Sequence, residues 1–332
     1  MQRHSLKTVL LALLLFSVVA LAPATSEAQL PLPPPSPLPV LPPPPLLPSP
    51  SLSLLPIAVG EGPEALVFDG SNVWVASQFS NNVTRIGASA GAVLATVPVG
   101  ERPVGLAFDG ANVWVANLIS NDLTKLRASD GVVLATYRAG EGPGSVLFDG
   151  QNVWVANRTG NNLMKLRPSD GALLGTVAVG ARPLGLAFDG ANVWVANNFD
   201  NTVTKVRASD GQTLGTFPVG QGPFGIAFDG ANVWVTNFFS ATVTKLAAST
   251  GARLGTFSVG DGPTGVAFDG LSLWVANNGS NNVMLLRTND GAVLATAPAG
   301  GGPFGLIAGA SLTGTAVWTA NFGSDTVLMI GL

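Results

Sequence analysis

Beyond residue 54 the apolar residues come in short runs separated by Asp-Gly and Asn-rich punctuation, and the pattern repeats. The stretch from Gly180 to Gly220 shows the unit. Residues 184–188 (Leu-Gly-Leu-Ala-Phe) predict a strand, A, and Asp189-Gly190-Ala191-Asn192 predicts a tight turn. Glycine after aspartate accepts the positive φ that a hairpin needs. Val193-Trp194-Val195-Ala196 is strand B, residues 197–201 form a loop, and 202–207 are strand C. Ser209-Asp210-Gly211 turns the chain into strand D at 214–219. Strand B lacks polar alternation, as expected of a strand covered on both faces. Four antiparallel strands fill the unit and leave no room for a helix.

The period is 40 residues. It carries Gly60, Gly100, Gly140, Gly180, Gly220, Gly260 and Gly300, the prolines from Pro63 to Pro303, and Phe68-Asp69-Gly70 through Phe268-Asp269-Gly270. All 7 tryptophans obey it, from Trp74 to Trp274 and then Trp318, which is displaced by an insertion within 308–315. A four-stranded unit at this period is a propeller blade, apolar on both faces and satisfied only by neighbours on both sides. The strand count then tests closure. Strands A, B and C occur seven times, but the last C strand is followed by no D strand. The missing copy lies at the front, where Leu54-Leu55-Pro56-Ile57-Ala58-Val59-Gly60 matches Leu214-Gly215-Thr216-Phe217-Pro218-Val219-Gly220. The expected fold is therefore an all-β, seven-bladed β-propeller over 54–332, its last blade closed by residues 54–60. Such closure leaves no open sheet edge at the seam.

Two segments precede the repeats. Residues 1–28 read as a secretory signal peptide: Arg3 and Lys7 precede an apolar run at 9–21, and Ala22-Pro23-Ala24 or Ser26-Glu27-Ala28 offers a cleavage site. The run is short of the ~20 residues a spanning helix wants. Residues 29–53 shift to a Pro-Leu-Ser composition, including Pro42-Pro43-Pro44-Pro45, and predict a polyproline II linker rising about 3.1 Å per residue. The expected location is secreted or periplasmic, with membrane contact only through an uncleaved signal peptide.

The residues Asn192-Val193-Trp194-Val195-Ala196-Asn197 and Asn232-Val233-Trp234-Val235-Thr236-Asn237 resemble the bacterial repeat named for its Tyr-Val-Thr-Asn motif, with Trp in place of Tyr. The run Gly222-Pro223-Phe224-Gly225-Ile226-Ala227-Phe228-Asp229-Gly230 is also similar to NHL repeats and to the virginiamycin B (streptogramin) lyase family. The resemblance spans 54–332 and implies the propeller fold. Those lyases are expected to use histidine, and the one histidine of this chain is His4, in the expected signal peptide. Lyase activity is therefore not expected.

The same absence removes an imidazole base, a triad and a His-ligated metal from the expected mature domain. With no cysteine there is no disulfide and no thiolate site. A net charge of −3 and the lack of a basic aromatic platform argue against nucleic acid. Acids remain. Asp69, Asp109, Asp149, Asp189, Asp229 and Asp269 sit in A–B turns and Asp130, Asp170, Asp210 and Asp290 in C–D turns, where aspartate is a turn residue. The others beyond residue 28 are Glu61, Glu64, Glu101, Asp122, Glu141, Asp200, Asp261 and Asp325. They fall at the D–A and B–C connections, which share one end of the ring, with Arg102, Arg158 and Arg182 as the only bases there.

That loop end is the candidate ligand face. Its expected residues are Glu61, Glu101, Glu141 and Asp261, with Arg102 and Arg182, and the asparagines that end strand B: Asn117, Asn157, Asn197, Asn237 and Asn277. The asparagines suit their own turns, though some amides could reach the mouth. Phe79, Ile119, Phe199, Phe238, Phe239 and Phe322 lie beside them. The leading expectation is a non-enzymatic, monomeric binding scaffold for a protein, a glycan or a cell-envelope component. The alternative is a lactonase-like hydrolase with a single Ca²⁺ held by glutamate and asparagine, for instance Glu101 and Asn157. No other cofactor is expected.

Overall fold

The computed structural model describes residues 54–311 and 314–331. The expected signal peptide and the proline-rich linker lie outside the described residues. The described chain forms seven four-stranded antiparallel sheets and no helix. Each sheet is a blade, so the fold is a seven-bladed propeller. Blades 1 to 6 occupy 63–98, 103–138, 143–178, 183–218, 223–258 and 263–298. In blade 4 the strands are Pro183–Phe188 (A), Asn192–Asn197 (B), Thr202–Arg207 (C) and Thr213–Pro218 (D). The expected boundaries differ from these by about a residue.

Blade 7 takes strands A to C from Pro303–Ser311, Gly314–Asn321 and Thr326–Gly331. Its outermost strand is Leu54–Ala58, paired antiparallel to Thr326–Gly331 with Leu55 opposite Met329 and Ile57 opposite Val327. The start and end of the domain thus close the ring by strand pairing, with no covalent bond across the seam. The insertion foreseen at 308–315 lengthens the A–B hairpin of this blade, whose strands pair out to Ser311 and Gly314.

Burial peaks in the two middle strands and is lowest at the rim. Strand B is buried almost throughout, whereas strand D alternates between exposed and half-buried, as in Thr213–Pro218. The apolar core divides into seven clusters, one at each interface between neighbouring blades; Trp194 of blade 4, for example, packs with Ile226, Val233, Val235 and Leu246 of blade 5. Every tryptophan is the large side chain at such an interface, at most 2% exposed.

The turn aspartates do more than turn the chain. Asp189 accepts backbone N–H bonds from Ala191 and Asn192 through Oδ1, and Trp194 Nε1 donates to its Oδ2 at 2.7 Å. One carboxylate therefore closes the A–B turn and satisfies the polar atom of the neighbouring buried indole. The same bond recurs from Trp74 to Asp69 and in blades 2, 3, 5 and 6.

Candidate functional site

The loop end is a woven rim. In each blade the first N–H groups after strand B donate to carbonyls of the D–A connection, as in Leu118 N to Arg102 O at 2.9 Å and Arg158 N to Gly142 O at 2.7 Å. The rim is also tied from blade to blade. Arg102 N, Gly142 N and Arg182 N donate to the carboxamide oxygens of Asn81, Asn121 and Asn161 in the preceding blade, at 2.7–2.8 Å. Gly62 N donates to Asp325 Oδ1 at 2.8 Å, carrying the weave across the seam. These bonds fix the loops on which the candidate residues sit.

The asparagines of the candidate face lie beneath that rim. Asn117, Asn157, Asn197, Asn237 and Asn277 are 0% exposed. Their Nδ2 groups donate to the residue five positions on, for example Asn157 to Asn162 Oδ1 at 2.7 Å and Asn237 to Thr242 Oγ1 at 3.1 Å. The repeated glycine exists to admit them: a Cβ at Gly220 would stand 2.6 Å from Asn237 Cγ. Glycine and asparagine are one packing unit, so these amides brace the B–C turn and do not reach the mouth.

Glu61, Glu101, Glu141 and Asp261 do reach the surface, as do Arg102 and Arg182. The acids do not converge: among the described residues no three acidic, histidine or cysteine side chains are grouped closely enough to hold a metal ion. The pair named for calcium is separated by layer, with Glu101 exposed and Asn157 buried.

What converges is a depression of about 820 Å³ over blades 2 to 4, lined by Arg102, Arg158, Arg182, Glu141, Ile119 and Phe199 among others. All three bases of the loop end meet there with one acid. Arg102 and Arg182 hold φ of 59° and 53°. In the other blades the same position is glycine, Gly62, Gly142, Gly222, Gly262 and Gly302, at φ of 57–64°. A side chain in the left-handed region costs about 1–2 kcal/mol per residue, so the turn itself does not ask for arginine. Arg102 is oriented by its Nε–H bond to Gln78 Oε1 at 2.7 Å and lies over the ring of Phe79; Arg182 lies over Phe199 at 4.9 Å.

Below the depression, the A strands of the seven blades line an axial cavity of about 220 Å³. Arg158 borders both spaces. Its Nη2 meets Glu64 Oε1 at 2.8 Å, an ion pair between blades 3 and 1 with the two side chains 17% and 7% exposed. Gly144 makes room for it, since a Cβ there would overlap the Arg158 side chain. Across the axis Phe224 and Phe304 meet edge to face at 5.1 Å. Neither Glu64 nor Arg158 stood among the expected site residues. Their signal in the sequence is weak, because both columns vary around the ring: position 64 reads Val104, Gly144, Leu184, Phe224, Thr264 and Phe304 in the other blades, and Glu64 and Arg158 are the charged members of their columns.

No protein-family model matches the sequence, and no curated protein matches it. Solved structures do. The chain is similar to a streptogramin B lyase, at TM-score 0.73 and 17% identity over 85% of this chain and 98% of that one. It is similar also to a catalytically inactive histidine-to-alanine variant of virginiamycin B lyase from Staphylococcus aureus with quinupristin, at TM-score 0.72 and 19% identity over 85% and 100%. Hydrazine synthase from Kuenenia stuttgartiensis matches at TM-score 0.71 and 18% identity over 83% and 97%. At these identities the likeness shows the propeller fold alone.

Proposed function

We propose that this chain is a non-enzymatic, secreted or periplasmic binding scaffold that recognises a protein, glycan or other cell-envelope partner through the loop end of its propeller. One observation carries the reading. The side chains that break the repeat gather at that end and meet in the depression over blades 2 to 4. At the opposite end the exposed charges repeat from blade to blade and pair locally, as in Arg167–Asp170 and Arg207–Asp210 at 2.9 Å. A face that varies on a framework that does not is the usual arrangement of a recognition surface. The virginiamycin B lyase relative is inactive once a histidine is replaced, and this chain has no histidine beyond His4. That supports binding without turnover.

The chain has no cysteine, so a single engineered one can be labelled uniquely. Glu141→Cys places a bulky maleimide on the loop end, and Gln151→Cys places it on the opposite end. Retention on immobilised cell-envelope fractions should be lost with the first label and kept with the second. The triple change Glu61→Ala, Glu101→Ala, Glu141→Ala should also weaken retention without lowering the melting temperature, because these side chains are exposed. Equal retention by all forms would remove the loop end as the recognition surface.

A further inference from the structure

We infer that the depression over blades 2 to 4 is an oxyanion pocket, built to take a small organic acid of about sugar size through a carboxylate or phosphate ester. This rests on the loop end being the recognition surface and names the chemistry it recognises. Three guanidinium groups line one space with a single carboxylate, Glu141. Guanidinium is planar and always charged, and its parallel N–H groups match the two oxygens of an oxyanion.

Each of the three is held in place by something else. Arg158 is anchored through Nη2 on Glu64, and its Nε is buried with no hydrogen-bond partner. Arg102 is fixed through Nε on Gln78 and by the face of Phe79. Arg182 is fixed by the face of Phe199. Among the described residues neither Arg102 nor Arg182 forms an ion pair, so their charge is available to a ligand. Such pre-orientation lowers the ordering cost of binding.

The backbone points the same way. Both arginines occupy a left-handed position that the repeat fills with glycine elsewhere, and they lie two blades apart in the chain yet border one space. Strain kept at two positions that share a space marks a site rather than a turn requirement. The volume of about 820 Å³ is that of a small-molecule pocket. Exposed Ile119 and Phe199 offer an apolar wall for ligand carbons, and Glu141 an acceptor for hydroxyl groups.

Calorimetric titration tests it with glucuronate and glucose 6-phosphate against glucose. At least one acid should bind about tenfold more tightly than glucose, and less tightly at about 0.5 M salt, where charges are strongly screened. The variant Arg102→Gly/Arg182→Gly restores the residue of the other blades, so it should fold with an unchanged or higher melting temperature. It should lose about tenfold or more of the acid affinity. No binding of either acid, equal binding of glucose, or full affinity in the double variant would overturn the pocket. If the acids fail while the label at residue 141 still abolishes envelope retention, the ligand class falls and the recognition face stands. If both fail, the face falls with it.

Discussion

In blade 4 the indole of Trp194 is fully buried, its Nε1 donates to Asp189 at 2.7 Å, and Lys205 lies over its ring at 5.0 Å. In blade 7 Trp318 is equally buried, but its Nε1 has no partner among the described residues, and Met329 stands opposite it where Lys205 stands opposite Trp194. The difference extends around the ring. Arg85, Lys125, Lys165, Lys205 and Lys245 each cover the tryptophan of their own blade and donate to a C–D turn carbonyl of the next, as in Lys205 Nζ to Ala248 O at 2.6 Å. Blade 6 has Leu285 at this position, opposite Trp274. For blade 6 the reason lies in the seam. Blade 7 takes its outer strand from Leu54–Ala58, so no C–D turn follows its C strand to offer the carbonyls a blade-6 lysine would need. The two interfaces of the closing blade rely on apolar contact instead: Ile57, Val59, Phe68, Ile307 and Met329 pack around Trp318 and the blade 1 core, and Trp274 of blade 6 packs with Leu306, Val317 and Leu328 of blade 7. A repeat can be copied only as far as its neighbours are copied too.

The largest contrast should come from the tryptophans. Trp194→Phe leaves a cavity and strips a donor from the Asp189 carboxylate, and should cost about 2–4 kcal/mol. Trp318→Phe makes a similar cavity but also removes a buried N–H without a partner, a gain of about 1–3 kcal/mol that offsets much of the loss. Denaturant unfolding of the two variants measures the gap. Equal costs would mean that the indole–aspartate bond contributes nothing to the regular interfaces.

A smaller contrast tests the interblade cations. Lys205→Met imitates blade 7 and should cost about 1–2 kcal/mol, the net of a charged hydrogen bond and a cation–π contact against added apolar packing. Met329→Lys faces Ala88 and Ser89 of blade 1, the counterparts of the residues that Arg85 bonds in blade 2, and should be tolerated. Leu285→Lys has no such turn ahead of it and should cost about 1–3 kcal/mol as an uncompensated charge. If Leu285→Lys and Met329→Lys behave alike, the seam does not explain the missing cation of blade 6.

Much of this was legible before the structure, and for physical reasons. The period, the turn chemistry of Asp-Gly and the strand count gave the number of blades and the partner of residues 54–60, because a blade apolar on both faces needs a neighbour on each side and an open stack would need capping repeats that the sequence lacks. The site was legible only in part. Glu141, Arg102, Arg158 and Arg182 were foreseen at the loop end, but the meeting of the three arginines, with Arg158 one blade from each of the other two, depends on side-chain direction, which a period does not carry. The asparagine ring reads as serving its own turns, with some amides free to reach the mouth; its burial against the repeated glycine supports the first half of that reading, repetition at a turn marking packing. Glu64 and Arg158 were placed at the loop end but not among the site residues, because their columns differ in almost every blade and carry no consensus against which a charge stands out; Arg102 and Arg182 break a glycine column and are legible for that reason.

The smallest expected contrast lies in acid. Burial would raise the carboxyl pKa of Asp69, Asp109, Asp189 and Asp229, yet the bonds from the tryptophan Nε1, the turn N–H groups and the neighbouring asparagine outweigh it and hold all four below the usual value of 3.8. A folded-state pKa below the unfolded one means the unfolded chain binds protons more readily. Each of these carboxylates therefore contributes stability that is fully present above about pH 4 and is lost as pH falls through its folded pKa. Blade 7 has Gly309 at the corresponding place and contributes nothing of this kind. Asp189→Asn keeps the shape but sets an NH₂ group against one of the donors. It should lower the melting temperature at pH 7, and the deficit should shrink as both proteins are acidified toward about pH 2. These carboxyls are partly solvated, so the effect per site is modest. Parallel melting curves for wild type and variant across that range would show, by staying parallel, that the charge on Asp189 does not hold the A–B turn to its tryptophan.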